Sequence, residues 1–212
     1  MHRILALAAL LLTASPARTE GEAAGAFDYY VLALSWTPNW CAAEGDARRD
    51  ARCADGAGTG WALHGLWPQN ERGWPSYCRT TERDPTRAET AAMGRFMGSS
   101  GLAWHQWRKH GRCSGLSAQD YFLTSARAMG KVKVPDLFAR LDKALRVPAT
   151  VIEAAFLEAN PTLSRDMVTV TCKDLAIQEV RVCLTRDLAP RRCGADVIRD
   201  CTLRDATLEA PR

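Results

Sequence analysis

Phe27-Asp28-Tyr29-Tyr30-Val31-Leu32-Ala33-Leu34-Ser35-Trp36 is dense in aromatic and branched residues, and Thr37-Pro38-Asn39 closes it. That composition with that stop predicts a β-strand. Residues 41–60 follow as a polar loop rich in Gly and Asp. Residues 61–66 form a short apolar segment ended by Pro68, and Gly73-Trp74-Pro75 marks another loop. Helical patterns then dominate. One is predicted up to about Met97, with Asp84 as N-cap and Pro85 in its first turn. Others are expected at 102–109, from Ser117 to about Met129 (with Asp120 placed for a capping box), at 136–145 and at 150–159. Period-two alternation returns at 167–173 and 176–184. An early strand, a helical middle and late strands predict an α+β fold, with a central, mainly antiparallel sheet packed with several α-helices. With no linker or repeat, residues 27–212 read as a single domain.

Histidine is scarce: four in 212 residues, one of them His2. The other three lie in two dense clusters. The first is Trp61-Ala62-Leu63-His64-Gly65-Leu66-Trp67-Pro68-Gln69. The second is Trp104-His105-Gln106-Trp107-Arg108-Lys109-His110-Gly111-Arg112-Cys113. On a helix, at about 100° per residue, His105 and Lys109 are neighbours, as are Gln106 and His110. The four share a sector roughly 140° wide. Trp104 and Trp107 point elsewhere and are expected to pack. Two imidazoles, an ammonium and an amide on one face are costly to bury without a purpose.

This set suits phosphoryl transfer within RNA. The attacking ribose 2′-hydroxyl must lose a proton, and the departing 5′-oxygen must gain one. A neutral imidazole and an imidazolium do both near neutral pH, and Lys109 supplies a fixed cation for the transition state. The plainer readings are a core-buried His64, a solvated Lys109 and a Trp67 that only packs; each fits a lone residue better than one inside a full cluster. A metallohydrolase on His64, His105 and His110 lacks carboxylate ligands in both clusters and the H-E-x-x-H spacing. No G-x-S-x-G elbow occurs.

The two clusters closely resemble the active-site segments of the ribonuclease T2 family. His64 to Pro68 matches its His-Gly-Leu-Trp-Pro core. His105 to Cys113 matches its His-Glu-Trp-x-Lys-His-Gly-x-Cys segment, with Gln106 in place of Glu. Asp28 to Trp36 and Glu179-Val180-Arg181-Val182-Cys183 resemble its first and late core strands. The resemblance implies a metal-independent endoribonuclease that cuts single-stranded RNA to a 2′,3′-cyclic phosphate and then a 3′-phosphate, with low base specificity and no cofactor. It implies His110 as general base, His64 as general acid, His105 as phosphate holder and Lys109 as transition-state stabiliser. Trp67 would stack on the base 5′ of the cut, and Gln69 would read its edge. Gln106 keeps the size of glutamate but loses the charge, so His110 and His105 should be harder to protonate. The rival reading is a catalytically impaired RNA-binding protein of the same fold.

The eight cysteines have no C-x-x-C pair. In an exported chain an even count reads as four disulfides rather than structural zinc. Their pairing stays open on spacing alone; the resemblance implies Cys41–Cys53, Cys78–Cys113, Cys172–Cys201 and Cys183–Cys193. Residues 1–17 read as a signal peptide: Arg3, a short apolar run, then Ser15-Pro16-Ala17. A second small-residue site allows cleavage as late as 26. The expected location is therefore the periplasm or the medium, with no membrane span after cleavage and a monomer as default. The net charge of +4 favours a polyanionic partner.

Overall fold

The computed structural model describes residues 22–212; the predicted signal peptide at 1–17 lies outside them. Strand β1 (Tyr29–Trp36) is followed by a short helix α1 (Thr37–Trp40) and irregular turns, then by β2 (Trp61–Gln69). Helices α2 (Arg87–Met97), α3 (Ser100–Lys109) and α4 (Ala118–Lys131) fill the middle. Strand β3 (Leu145–Val147), helix α5 (Ala149–Ala159), the hairpin β4 (Val168–Lys173) and β5 (Ala176–Leu184), and β6 (Ala206–Leu208) complete the chain. The sheet runs β2-β1-β5-β6-β3, with β4 paired to β5. Every pairing is antiparallel except the single β5–β6 contact.

One face of the sheet makes the main core. Leu32, Leu34, Leu63, Leu66, Val180 and Val182 meet Met97, Trp107, Tyr121, Ile152 and Phe156 from the helices. The opposite face carries a smaller cluster of Tyr29, Val31, Cys183, Cys193 and Val197, with Trp67 packed against it.

Two bulges break the alternation. In β2, Gly65 pairs with Ala33 and Leu63 with Leu34, so His64 is an extra residue. In β5, Glu179 pairs with Thr171 and Ile177 with Cys172, so Gln178 is extra. Each bulge lets residues three apart, Leu63 with Leu66 and Ile177 with Val180, enter the same core. The two between them turn to the other face, an effect typical of bulges beside functional sites.

The differences from the sequence reading are local. β2 runs through Pro68 rather than ending before it. Helix α2 starts at Arg87 behind a capping box of Thr86 and Glu89. Asp84 accepts instead from Trp107 Nε1 and Arg112, at 2.9 and 2.6 Å. The helix expected over 136–145 is a 3-10 turn at Asp136–Arg140 followed by β3. Trp107 is fully buried, whereas Trp104 is 37% exposed rather than packed. Ser117 caps α4 as read, accepting from the backbone N–H of Asp120. The four disulfides are Cys41–Cys53, Cys78–Cys113, Cys172–Cys201 and Cys183–Cys193, the pairs that the resemblance implies.

Candidate active site

The two histidine clusters converge where α3 crosses the edge strand β2. A cleft of about 430 Å³ is lined by His64, Trp67 and Gln69 from β2, and by His105, Gln106, Lys109 and His110 from the end of α3. All seven side chains singled out in the sequence therefore meet in one place.

His64 stands on the β2 bulge, and its Nδ1 is hydrogen-bonded to Oε1 of Glu179. Glu179 is only 2% exposed. Its second oxygen accepts from Nε and Nη2 of Arg181 at 2.8 and 2.6 Å. Burial works to raise the Glu179 pKa, but His64 and Arg181 outweigh it and hold the carboxyl below its ordinary range. With Nδ1 occupied, Nε2 of His64 is the nitrogen left for the cleft.

His110 lies just past α3, with its backbone N–H still bonded to the Gln106 carbonyl. It is 7% exposed, and its Nδ1 is buried without a hydrogen-bond partner. Burial first, then the charges of Lys109, His64 and His105, push its pKa from 6.5 down to about 3. Its neutral form therefore prevails over the physiological range. His105, nearer the surface, is also lowered, by desolvation and then by Lys109.

Trp67 ties the two clusters together. Its ring stacks on His110 (5.2 Å between centroids) and meets His64 edge-on (5.3 Å). The Arg181 guanidinium sits 5.2 Å from the indole. Its Nε1–H donates to Gln106 Oε1 at 2.8 Å, and Gln106 is 1% exposed. Gly65 makes room for this contact: a Cβ there would fall 2.2 Å from Gln106 Oε1 and 2.4 Å from Trp67 Nε1. Gln69 is buried and its Nε2 donates to the Gly73 carbonyl at 3.0 Å, which anchors the turn that carries Trp74. Trp74, 58% exposed, also borders the cleft.

Sequence reading missed Glu179, Arg181 and Trp74 as site residues. The signal for the first two was an ion pair two residues apart within an apolar strand, where one member needs a reason to be buried. Past His64 the cleft adjoins a larger cavity of about 750 Å³ that reaches Trp40 and shares Glu179 as wall. Among the described residues no group of three or more His, Cys, Asp or Glu is placed to hold a metal ion.

The sheet, its bulges and this cleft define an α+β protein that brings three imidazoles to one pocket. Residues 27–193 match the Ribonuclease T2 family, and the chain belongs to that family. The Ribonuclease of Aeromonas hydrophila is 44% identical over 124 residues, 57% of this chain and 54% of that protein. The Probable ribonuclease of Haemophilus influenzae is 31% identical over 121 residues, 51% and 44% of the two chains. The chain thus spans about half the length of the curated relatives it matches. Among solved structures, the self-incompatibility-associated SF11-RNase of Nicotiana alata superimposes with a TM-score of 0.66 at 20% identity, over 88% of this chain and 100% of that one. The RNase-related protein from Calystegia sepium gives 0.64 at 20% identity, over 87% and 97%. These two share its fold.

Proposed function

We propose that this chain is an exported endoribonuclease that cuts single-stranded RNA with its own side chains, without metal or cofactor. The observation that carries this reading is that His64 and His110 both lie against Trp67 in one cleft, in opposite electrostatic settings. His110 is kept neutral by burial, as a general base must be. His64 has an ionised carboxylate on Nδ1, the partner suited to an imidazolium that donates from Nε2.

In the first step the ribose 2′-oxygen forms a bond to phosphorus and its proton passes to His110. The bond from phosphorus to the 5′-oxygen breaks, and the proton on His64 goes to that oxygen. The products are a 2′,3′-cyclic phosphate and a free 5′-hydroxyl. In the second step water bonds to phosphorus and gives a proton to His64, the bond from phosphorus to the 2′-oxygen breaks and that oxygen takes the proton held by His110, leaving a 3′-phosphate. Lys109 stabilises the added charge on the phosphoryl oxygens and His105 holds the phosphate. Trp67 and the exposed Trp74 offer π-surfaces to a base, which supports binding with little base preference. Gln69 contributes by holding the turn below Trp74. The leaving strand lies on the His64 side, where the larger cavity opens.

Export rests on the signal-like residues 1–17 and the four disulfides. No helix among the described residues is long and apolar enough to cross a membrane. The segment from Glu22 is packed: Arg79 N–H donates to Glu22 O at 3.1 Å and Gly25 N–H to Cys113 O at 2.9 Å. Cleavage near residue 17, rather than at 26, keeps these bonds.

Gln106 favours a second reading, an RNA binder with weak or no turnover, because a base as acidic as His110 is a poor proton acceptor. Digestion of a short RNA in EDTA, beside its 2′-deoxy counterpart, separates the two. Cyclic phosphate ends on the RNA alone support the enzyme. No cut at any pH from acid to neutral, by folded and oxidised protein, leaves the binder.

A further inference from the structure

We infer that Glu179 is the positioning residue of the acid step, acting through His64 with Arg181 as its own anchor. The inference rests on the ribonuclease reading above. Glu179 lies 115 residues from His64 in sequence, and its alternation with the core residues Val180 and Val182 puts it on the Arg181 and Cys183 face of β5, away from the main core. A buried carboxylate is costly unless it is fully paired. Here one oxygen takes the imidazole Nδ1–H and the other takes both N–H groups of the Arg181 fork. With a partner on each oxygen the carboxylate is held in one orientation, and it fixes the ring plane and tautomer of His64.

Three consequences follow for the chemistry. The proton on Nδ1 is committed to Glu179, so the transferable proton is on Nε2, facing the leaving oxygen. The negative charge is placed against the ring that carries positive charge before transfer. The Arg181 guanidinium also lies 5.2 Å from the Trp67 ring, so the anchor of the acid and the wall beside the base, His110, share one side chain. The site thus keeps a carboxylate on its acid while the amide of Gln106 stands beside its base. Proton flow in the step is unchanged: Glu179 neither gives nor receives a proton, and His64 donates to the 5′-oxygen.

The test compares wild type with Glu179→Gln and Glu179→Asp on two substrates: a dinucleotide, and a uridine 3′-phosphate ester of 4-nitrophenol, whose leaving group needs no protonation. For Glu179→Gln the expected result is a kcat on the order of 100-fold lower on the dinucleotide, with KM within about twofold. The alkaline limb of its pH profile should move to lower pH. On the nitrophenyl ester most of the loss should vanish, and Glu179→Asp should recover part of the dinucleotide rate. Equal losses on both substrates, or an unmoved alkaline limb, overturn the proposal. If Glu179→Gln fails to fold, Glu179→Asp carries the same comparison, and its selective loss on the dinucleotide is required. A wild type that cuts neither substrate refutes the ribonuclease reading itself, a distinct outcome.

Discussion

Gln106 accepts the indole N–H of Trp67 at 2.8 Å, and Trp67 stacks on His110. A glutamate in this position can make the same hydrogen bond while adding a negative charge one ring away from His110. The imidazolium of His110 is disfavoured by burial and by three neighbouring cations or histidines, and a carboxylate acts against all of them. Gln106→Glu is expected to move the acid limb of kcat/KM upward by one pH unit or more. It should also raise the rate near pH 6, because a less acidic imidazolium corresponds to a stronger base. The kcat/KM profile from pH 3 to 8 checks both. An acid limb that stays in place means that the charge at 106 does not reach His110.

The same burial makes His110 a liability for stability in acid. Its folded pKa of about 3 lies below the ordinary 6.5. Between those values the unfolded chain binds a proton that the folded chain refuses. Stability therefore falls as pH drops from about 6.5 to about 3, at up to about 1.4 kcal/mol per pH unit from this residue. Below about 3 both states are protonated and its contribution stops changing. Urea denaturation at pH 7, 5 and 4 should show wild type losing more than His110→Gln over this window. Parallel curves for the two proteins would rule this out.

Much of the cleft was legible in the residues. His64, His105, Lys109 and His110 stand in two clusters whose composition has no other economical use, and the helical spacing of α3 brings three of them together. Glu179 was not legible as a site residue. Period-two reading of β5 gives it the face of Arg181 and Cys183, but its meeting with His64 depends on the strand order β2-β1-β5, which is not local. Asp84 misled for a related reason. It precedes Pro85, as an N-cap does, yet tertiary contacts with Trp107 and Arg112 claim its carboxylate and leave the cap to Thr86. The helix expected over 136–145 failed because Leu145–Val147 finds a strand partner in β6, far downstream in the sequence. The resemblance implies a base platform at Trp67. Its stacking on His110 and its bond to Gln106 give it a structural task as well.

Gly65 is expected to be intolerant of any side chain. Its neighbours at the missing Cβ are the acceptor and donor of the Gln106–Trp67 bond, at 2.2 and 2.4 Å. Neither can withdraw freely, because Gln106 is buried in α3 and Trp67 lies against His110. Gly65→Ala should cost about 1–3 kcal/mol through overpacking. It should also lower kcat well below the melting range, since the shift falls between the two histidines. A thermal melt together with kcat at 20 °C checks both. An alanine variant with normal kcat would mean that the Trp67 contact has no catalytic consequence.

Two disulfides of similar span hold different parts of the molecule. Cys78–Cys113 closes a separation of 35 residues and Cys172–Cys201 one of 29. On loop entropy alone each contributes about 3–4 kcal/mol, so replacing either pair with serine should lower Tm by a similar amount. Their positions differ. Cys113 lies three residues after His110, and beside Cys78 the Tyr77 N–H donates to Lys109 O at 2.9 Å. This bridge ties the end of α3 to the loop that follows β2, and so sets His110 in register with His64. Cys172 and Cys201 sit at the β4 end of the sheet, where Cys201 N–H donates to Val170 O at 2.8 Å, outside the cleft. Measured at a temperature where both variants are folded, the loss of Cys78–Cys113 should lower kcat on the order of tenfold or more, because small misplacements of paired acid and base are costly. The loss of Cys172–Cys201 should leave kcat within about twofold of wild type. If both variants lose Tm and activity in equal proportion, the bridge near His110 acts only on stability, and the register of the two histidines must be held by the Trp67 contacts instead.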